Sequence, residues 1–294
     1  MRIESWPSTG HVNTLLNSLN QPDDADDWDL ATTLRIRIHA RQTDEVLNKA
    51  VQNIPIPEIS ALSGHFRDLY GNREHTPIKH IDAARSMAIA DDYDAMQHDP
   101  YGPHVQRSYN ALKHQTREQW DHMHANGYKA EPWVNDGQPY ANSAALMHDL
   151  AANKHIYFFP TLGTSGASYG ESGDEPTEHP MLEPAGIAIN GKHLTYNDMF
   201  RAVHDFYGHG AHGYQFGPVG EENAWRKHRT MFSMEAVPAL TSETRGQNSW
   251  INFGKHLRIA GQVPGPGDPR WLHPALRPYA QQKAGILPPH HWEE

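Results

Sequence analysis

The chain of 294 residues contains no cysteine. This absence excludes disulfide bonds, thiolate nucleophiles, iron–sulfur clusters held by cysteine and zinc sites with cysteine ligands. Any metal site in this protein must therefore be built from histidine and carboxylate side chains. Histidine is abundant, because the chain has 22 histidines beside 25 lysines and arginines together.

Basic residues are scarce relative to acidic ones, and long apolar runs are missing. The 35 aspartates and glutamates against 25 lysines and arginines give a formal net charge of -10 at pH 7. This balance disfavours a nucleic-acid partner, which needs a basic surface for its phosphates. No apolar run approaches the roughly 18 residues of a spanning helix, and the start MRIESWPSTG lacks the pattern of a secretory signal. We therefore expect a soluble, cytoplasmic protein without a membrane partner.

The chain divides into two predicted parts. Residues 1–85 are predicted to form an N-terminal arm or small subdomain, with an alternating strand-like run, LRIRIHAR, at 34–41 and a loop rich in proline, glycine and histidine at 53–80. Residues 86–294 are predicted to form a metal-dependent catalytic domain. For the whole chain we expect a mainly α-helical α+β fold with a few short strands.

Apolar periodicity and capping residues predict the elements of the second part. Thr195 followed by Asp198 resembles a capping box and places a helix start at 196. In chain order we expect a helix over 105–125, a helix over 143–152 capped by Asn142, a strand over 155–160, a loop over 162–185, a helix from 196 to Gly208, a helix over about 220–232, and a helix from Ser233 to about 249 bent at Pro238.

Two histidines in the helix after residue 196 are the first candidate ligands. His204 lies on the apolar stripe between Phe200 and Tyr207, and His209 follows five residues later. Five residues of a straight α-helix separate two side chains by about 140°. We therefore expect the helix to fray or bend at Gly208, so that His209 turns toward His204.

A carboxylate should complete the site. Glu243 falls on the apolar stripe of the helix after Ser233, where an unpaired carboxylate costs several kcal/mol unless it is paired or bound to metal. Glu221 and Glu222 are explained as negative charges at a helix N-terminus. The predicted metal ligands are therefore His204, His209 and Glu243. Two imidazoles and one carboxylate suit Fe(II) with O₂, and Zn²⁺ or Mn²⁺ are the alternatives.

Neighbouring side chains receive three predicted roles. Asp205 and Arg245 are predicted to act in catalysis by positioning the substrate or cosubstrate. The predicted substrate-binding residues are Tyr207, Trp225, Gln247, Asn248 and Trp250. The predicted outer-shell or second-metal residues are His212, Glu221, Glu222 and His228.

The segment HDFYGH at 204–209 resembles the His-Glu-x-x-Gly-His segment of the pterin-dependent aromatic amino acid hydroxylases. HPMLEP at 179–184 is similar to the proline-rich loop that precedes the iron-binding helix of that family. The resemblance implies a hydroxylase-like helical core, iron on the two histidines and on a later glutamate, and a pterin cosubstrate. Asp205 stands where that family has glutamate. It also implies hydroxylation of a planar substrate, such as an aromatic amino acid or a nucleobase-like molecule.

A second resemblance covers roughly residues 95–290. The sequences VHDFYGH, GEENAW, ETRGQNSWINFG and YAQQKAGILP resemble a domain of phage and mobile-element polyvalent proteins. This resemblance implies a phage-associated protein in the host-cell cytoplasm.

The sequence predicts a mononuclear non-haem Fe(II) oxygenase, and two alternatives stay open. His204-Asp205 is the His-Asp dipeptide of metal-dependent phosphohydrolases, so one alternative is an HD-like or zinc hydrolase of nucleotides. The other alternative is a non-enzymatic phage interaction module, in which the histidines and aromatic residues serve packing or partner binding.

Overall fold

The computed structural model describes residues 54–135, 138–161 and 178–293. Helices dominate these residues and the strands are short, which confirms a mainly α-helical fold. Within these three ranges, none of the helices has both the length and the apolar character that crossing a bilayer demands.

Eight α-helices are present in the described residues: α1 (Pro57–Leu69), α2 (Ala83–Ala95), α3 (Pro103–Ala125), α4 (Ser143–Asn153), α5 (Tyr196–Val203), α6 (Pro218–Arg229), α7 (Val237–Thr241) and α8 (Gln247–Phe253). Two π-helical segments extend them: the first π segment (His204–Gly210) continues α5, and the second π segment (Ser242–Gly246) joins α7 to α8. Strand β1 (Lys129–Pro132) pairs in parallel with β2 (His155–Phe158), and β3 (Pro184–Ile189) pairs antiparallel with β4 (Lys192–Thr195).

The long helix α3 lies against α5 and α7 at the centre of the molecule. Its predicted apolar face is confirmed, since all five of its predicted apolar residues are buried: Val105, Tyr109, Leu112, Trp120 and Met123. The main core also contains apolar residues of α1, α4, α5, α6 and the first π segment. One continuous core therefore supports the helices that carry the histidines.

Local capping signals position two of these helices as expected. The Asn142 side chain accepts a hydrogen bond from the Ala145 N–H at 3.0 Å and begins α4. Thr195 and Asp198 form a capping box at the start of α5. The Asp198 carboxylate also accepts a hydrogen bond from the Thr161 N–H at 2.6 Å, so this cap ties α5 to the segment that follows β2.

Three predicted boundaries are wrong. The helix that carries the histidines does not end at Gly208 but continues as the first π segment to Gly210. Pro238 does not bend a helix; it lies in the first turn of α7, where a missing N–H costs nothing. Strand β3 begins at Pro184, so the loop predicted over 162–185 extends two residues too far.

The described part of the predicted N-terminal arm belongs to the main core. The loop prediction is wrong for α1, because Ile59 and Phe66 give this short helix an apolar face that is fully buried. The Ile56 N–H donates to the Gly210 carbonyl at 3.2 Å, which attaches α1 to the first π segment. Residues 56–66 therefore pack on the same core as the helices that carry the histidines. The predicted strand at 34–41 lies outside the described residues.

Candidate metal centre

The first π segment brings His204 and His209 together. Backbone hydrogen bonds in a π-helix join residues five apart, so side chains at this spacing lie one turn apart on the same side. The two imidazole rings have centroids 5.3 Å apart and are nearly perpendicular. The expected convergence is therefore present, but it comes from a wider helical turn and not from fraying at Gly208.

Glycine permits close packing between this turn and α6. A Cβ atom on Gly208 would lie 3.3 Å from the Ala224 carbonyl oxygen and 3.3 Å from His204 Nδ1, which is tighter than most Cβ contacts. A Cβ atom on Gly220 would lie only 1.7 Å from the Gln215 carbonyl oxygen. Glycine at position 220 thus lets the preceding loop fold tightly over the first turn of α6.

Glu221 is the carboxylate that this turn of α6 directs toward the histidines. Its Oε2 atom lies 3.5 Å from His209 Nε2 and 3.9 Å from His204 Nε2. Ligand atoms of the three residues all lie within 4.8 Å of one another. Two atoms bonded to one ion at about 2.1 Å can be at most about 4.2 Å apart, so both carboxylate–imidazole separations fit a shared ion.

The Nδ1 atom of each imidazole forms a hydrogen bond, and the Nε2 atom of each ring faces Glu221. His209 Nδ1 lies 3.0 Å from the Tyr214 carbonyl oxygen, and because a carbonyl only accepts, His209 Nδ1 carries the hydrogen. His204 Nδ1 lies 3.1 Å from Nδ1 of His228. A neutral imidazole with its proton on Nδ1 offers the Nε2 lone pair to a metal.

The three side chains and Asp205 interact strongly with one another. Burial lowers the pKa of His209, but the Glu221 and Asp205 carboxylates and the Tyr214 carbonyl together outweigh burial and raise that pKa to about 9. Burial raises the pKa of Glu221, but the two imidazoles outweigh it and hold the pKa well below its usual range. Burial raises the pKa of Asp205, and the imidazoles oppose this shift. The Glu221 carboxylate therefore stays ionised beside the two imidazoles, and an ionised carboxylate is a ligand for a divalent cation.

Glu243, the predicted third ligand, lies elsewhere. It is buried on the expected face, but its carboxylate accepts hydrogen bonds from the Tyr109 hydroxyl and from the Gln247 amide at 3.0 Å. His179 Nε2 lies 3.2 Å from the same carboxylate, and both side chains are only 1% exposed. The protein itself therefore satisfies this buried carboxylate, and Glu221 takes its place beside the two histidines.

The Arg245 guanidinium has structural partners on three sides. Its guanidinium binds both carboxylate oxygens of Glu222, at 2.8 and 2.6 Å, and donates to the His291 carbonyl at 2.6 Å. It also stacks over the Trp225 ring at 4.0 Å. Trp225 is fully buried and donates to Thr241 Oγ1, so it is a core residue and not a pocket wall. Arg245 and Glu222 join the second π segment to α6 and to the C-terminal segment.

The other predicted substrate-binding residues also have structural partners. Tyr207 is fully buried and its hydroxyl lies 3.0 Å from His122 Nδ1. Gln247 binds Glu243, and the Asn248 carbonyl accepts from Asn252 at 2.9 Å. Trp250 donates to Asp94 at 3.2 Å. None of these contacts involves the two candidate histidine ligands.

His212 belongs to a second cluster with Glu74 and His75. Lys227 donates to the Glu74 carboxylate at 3.0 Å and Arg67 donates to it at 2.7 Å, so the negative charge of Glu74 is already neutralised. Burial lowers the pKa of His212 to about 4. These two cations make the second cluster a poor site for a divalent metal. Glu221 instead faces two imidazoles, which give up the hydrogen on Nε2 when they bind a metal.

The sequence reasoning did not identify two residues around the histidines. Phe216 packs its ring 5.2 Å from His209 and is 42% exposed. Gln119 is fully buried beside His228, at 2.7 Å. An amide on the apolar stripe of α3, seven residues after Leu112, was the available signal for Gln119.

Comparisons with known proteins found no matching family model, no matching curated protein and no matching solved structure. The resemblances to aromatic amino acid hydroxylases and to phage polyvalent proteins therefore stay predictions, as does the cytoplasmic location.

Proposed function

We propose that His204, His209 and Glu221 bind one divalent metal ion, and that the protein is a mononuclear non-haem Fe(II) oxygenase. One observation carries this proposal: ligand atoms of the three side chains lie within 4.8 Å of one another, and Glu221 Oε2 lies 3.5 Å from His209 Nε2 and 3.9 Å from His204 Nε2. Two histidines and one carboxylate form the donor set of non-haem Fe(II) oxygenases, and three ligands leave coordination positions open.

The iron would supply oxygen activation at those open positions, and the chain supplies the surroundings. The Glu221 side chain is 27% exposed, whereas that of His209 is 1% exposed, so the site opens on the Glu221 side. Phe216 lies just before α6 and presents a 42% exposed ring beside His209. This ring supports a planar substrate, because it offers a face for stacking. Asp205, which follows the ligand His204 directly in the chain, is the proposed acid–base group.

The test is metal loading of untagged protein. Wild-type protein, His204→Ala and Glu221→Gln are titrated anaerobically with Fe(II), and bound iron is quantified after desalting. We expect one iron per wild-type chain, an EPR signal on addition of nitric oxide, and loss of both in the two variants. His148→Ala, which changes an exposed histidine of α4, serves as the control. Wild-type protein that retains no iron and gives no signal would refute the proposal.

A zinc-dependent hydrolase is the second candidate. The 3.5 Å separation between His209 Nε2 and Glu221 Oε2 is close to the roughly 3.4 Å edge of a tetrahedral zinc site and longer than the roughly 3.0 Å edge of an octahedral one. The bound Zn²⁺ would activate water for attack on a phosphate ester. Tighter retention of Zn²⁺ than Fe(II), together with phosphate release from nucleotides, would favour this candidate over the oxygenase.

A further inference from the structure

A buried row of three side chains extends from His204 into the core. His204 Nδ1 lies 3.1 Å from His228 Nδ1, and His228 Nε2 lies 2.7 Å from Gln119 Oε1. The Gln119 amide nitrogen donates to the Met231 carbonyl at 3.1 Å. Gln119 and His228 are fully buried and His204 is 9% exposed, so water does not compete for these bonds.

The Met231 carbonyl fixes the orientation of the whole row. A carbonyl only accepts, so the Gln119 NH₂ group must face Met231 and its Oε1 must face His228. An amide oxygen also only accepts, so His228 Nε2 carries a hydrogen. The opposite amide orientation would place two acceptors against each other at Met231.

When His204 is neutral, the contact between the two histidines has two solutions. If His228 is neutral, its Nδ1 accepts from His204 Nδ1–H, and His204 Nε2 keeps its lone pair. If His228 is charged, its Nδ1 donates, and the hydrogen of neutral His204 moves to Nε2. The aromatic side chains around His228 favour its neutral form, because they offer no polar partner to a charge. Phe200 stacks on His228 at 5.9 Å, and Phe232 packs edge-on against it at 4.8 Å.

We propose that Gln119 and His228 are positioning residues that fix His204 in the Nδ1–H tautomer, with its Nε2 lone pair directed at the ion site. This inference rests on the metal site proposed above. For His209, one hydrogen bond from Nδ1 to the Tyr214 carbonyl is enough to fix the same tautomer. The two ligand histidines thus reach one tautomer by different routes, and only the route to His204 can be altered by changing side chains.

The tautomers can be measured on metal-free protein. Long-range ¹H–¹⁵N correlation spectra of uniformly ¹⁵N-labelled wild type, with His204→Gln and His228→Gln used for assignment, distinguish a protonated from an unprotonated ring nitrogen. We expect hydrogen on Nδ1 of His204 and on Nε2 of His228. Neutral His204 with its hydrogen on Nε2 overturns the inference. This result does not depend on metal binding, so it separates failure of the row from failure of the metal site.

Metal affinity provides the second measurement. Gln119→Leu removes the acceptor while keeping a similar volume, and Zn²⁺ alone is titrated against a chromophoric chelator. We expect a 10–100-fold weaker affinity, the usual effect of losing an outer-shell partner of a histidine ligand. Gln115→Leu is the matched control, because Gln115 lies one turn earlier on α3 and bonds Ser233 instead. A folded Gln119→Leu variant with wild-type affinity would count against the inference.

Discussion

Glu221 and Glu243 can be distinguished as metal ligands by changing each to glutamine. Glu221→Gln removes a carboxylate oxygen that lies 3.5 Å from His209 Nε2, and we expect Zn²⁺ affinity to fall by more than the roughly 100-fold upper limit for outer-shell changes. Stability should change by about 1 kcal/mol or less, because this side chain is partly exposed and its ion pair is screened by solvent.

Glu243→Gln should have the opposite profile. The carboxylate is almost completely buried and accepts hydrogen bonds from Tyr109 and Gln247. Burial and the Glu243 carboxylate raise the pKa of Tyr109 well above its usual value, so its hydroxyl remains a donor. In either orientation of the new amide, one donor loses its acceptor. Hydrogen bonds to a charged group contribute about 1.5–3 kcal/mol, and a buried unpaired group costs about 1–3 kcal/mol.

We therefore expect Glu243→Gln to lower the free energy of unfolding by about 2–4 kcal/mol, which corresponds to roughly 4–16 °C in Tm for a domain of this size. Urea denaturation measures the stability, and the chelator titration measures Zn²⁺ affinity in the same samples. Equal loss of Zn²⁺ affinity in the two variants, with both proteins folded, would refute the assignment of Glu221 as the third ligand.

Three further changes test the surrounding structure. Thr195→Ala removes the cap of α5 and should cost about 1 kcal/mol in urea denaturation. Arg245→Met leaves the Glu222 carboxylate without its bidentate partner and should cost about 2–4 kcal/mol while Zn²⁺ affinity stays unchanged; a specific loss of affinity would contradict a structural role. Burial raises the pKa of Asp149, but hydrogen bonds led by the Tyr140 hydroxyl lower it overall. Wild-type stability should therefore include a contribution that is present above about pH 4 and is lost as the pH falls through the folded pKa; urea denaturation of Asp149→Asn should show no such loss.

The parts of the fold that were predicted correctly depend on neighbouring residues in the sequence. The Asn142 cap, the Thr195–Asp198 capping box and the apolar face of α3 are all set by spacings of three or four residues. These signals remain valid whatever the rest of the chain does. The start of α7 was mispredicted because a proline is equally compatible with a bend and with a first turn.

Glu243 shows that local sequence patterns do not identify partners that are distant in the chain. Its place on an apolar stripe correctly predicted that it is buried. The stripe could not say whether a metal or protein donors satisfy the carboxylate, because Tyr109 and His179 are 134 and 64 residues away in the chain. Glu221 had the reverse problem. A glutamate in the first turn of a helix has a sufficient local explanation, and only the tertiary fold brings it to His204 and His209.

The spacing of five between the histidines is explained by packing as much as by metal chemistry. A pair four residues apart on an ordinary α-helix would also place two imidazoles on one face. The π turn also directs Gly208 toward α6 and Gly210 toward α1 and α4. A Cβ atom on Gly210 would lie 3.0 Å from Leu150 Cδ1 and 3.3 Å from Ile59 Cδ1. One widened turn thus aligns the ligands and lets three helices approach it closely. Because the same backbone serves both purposes, contacts with the core hold the histidine geometry.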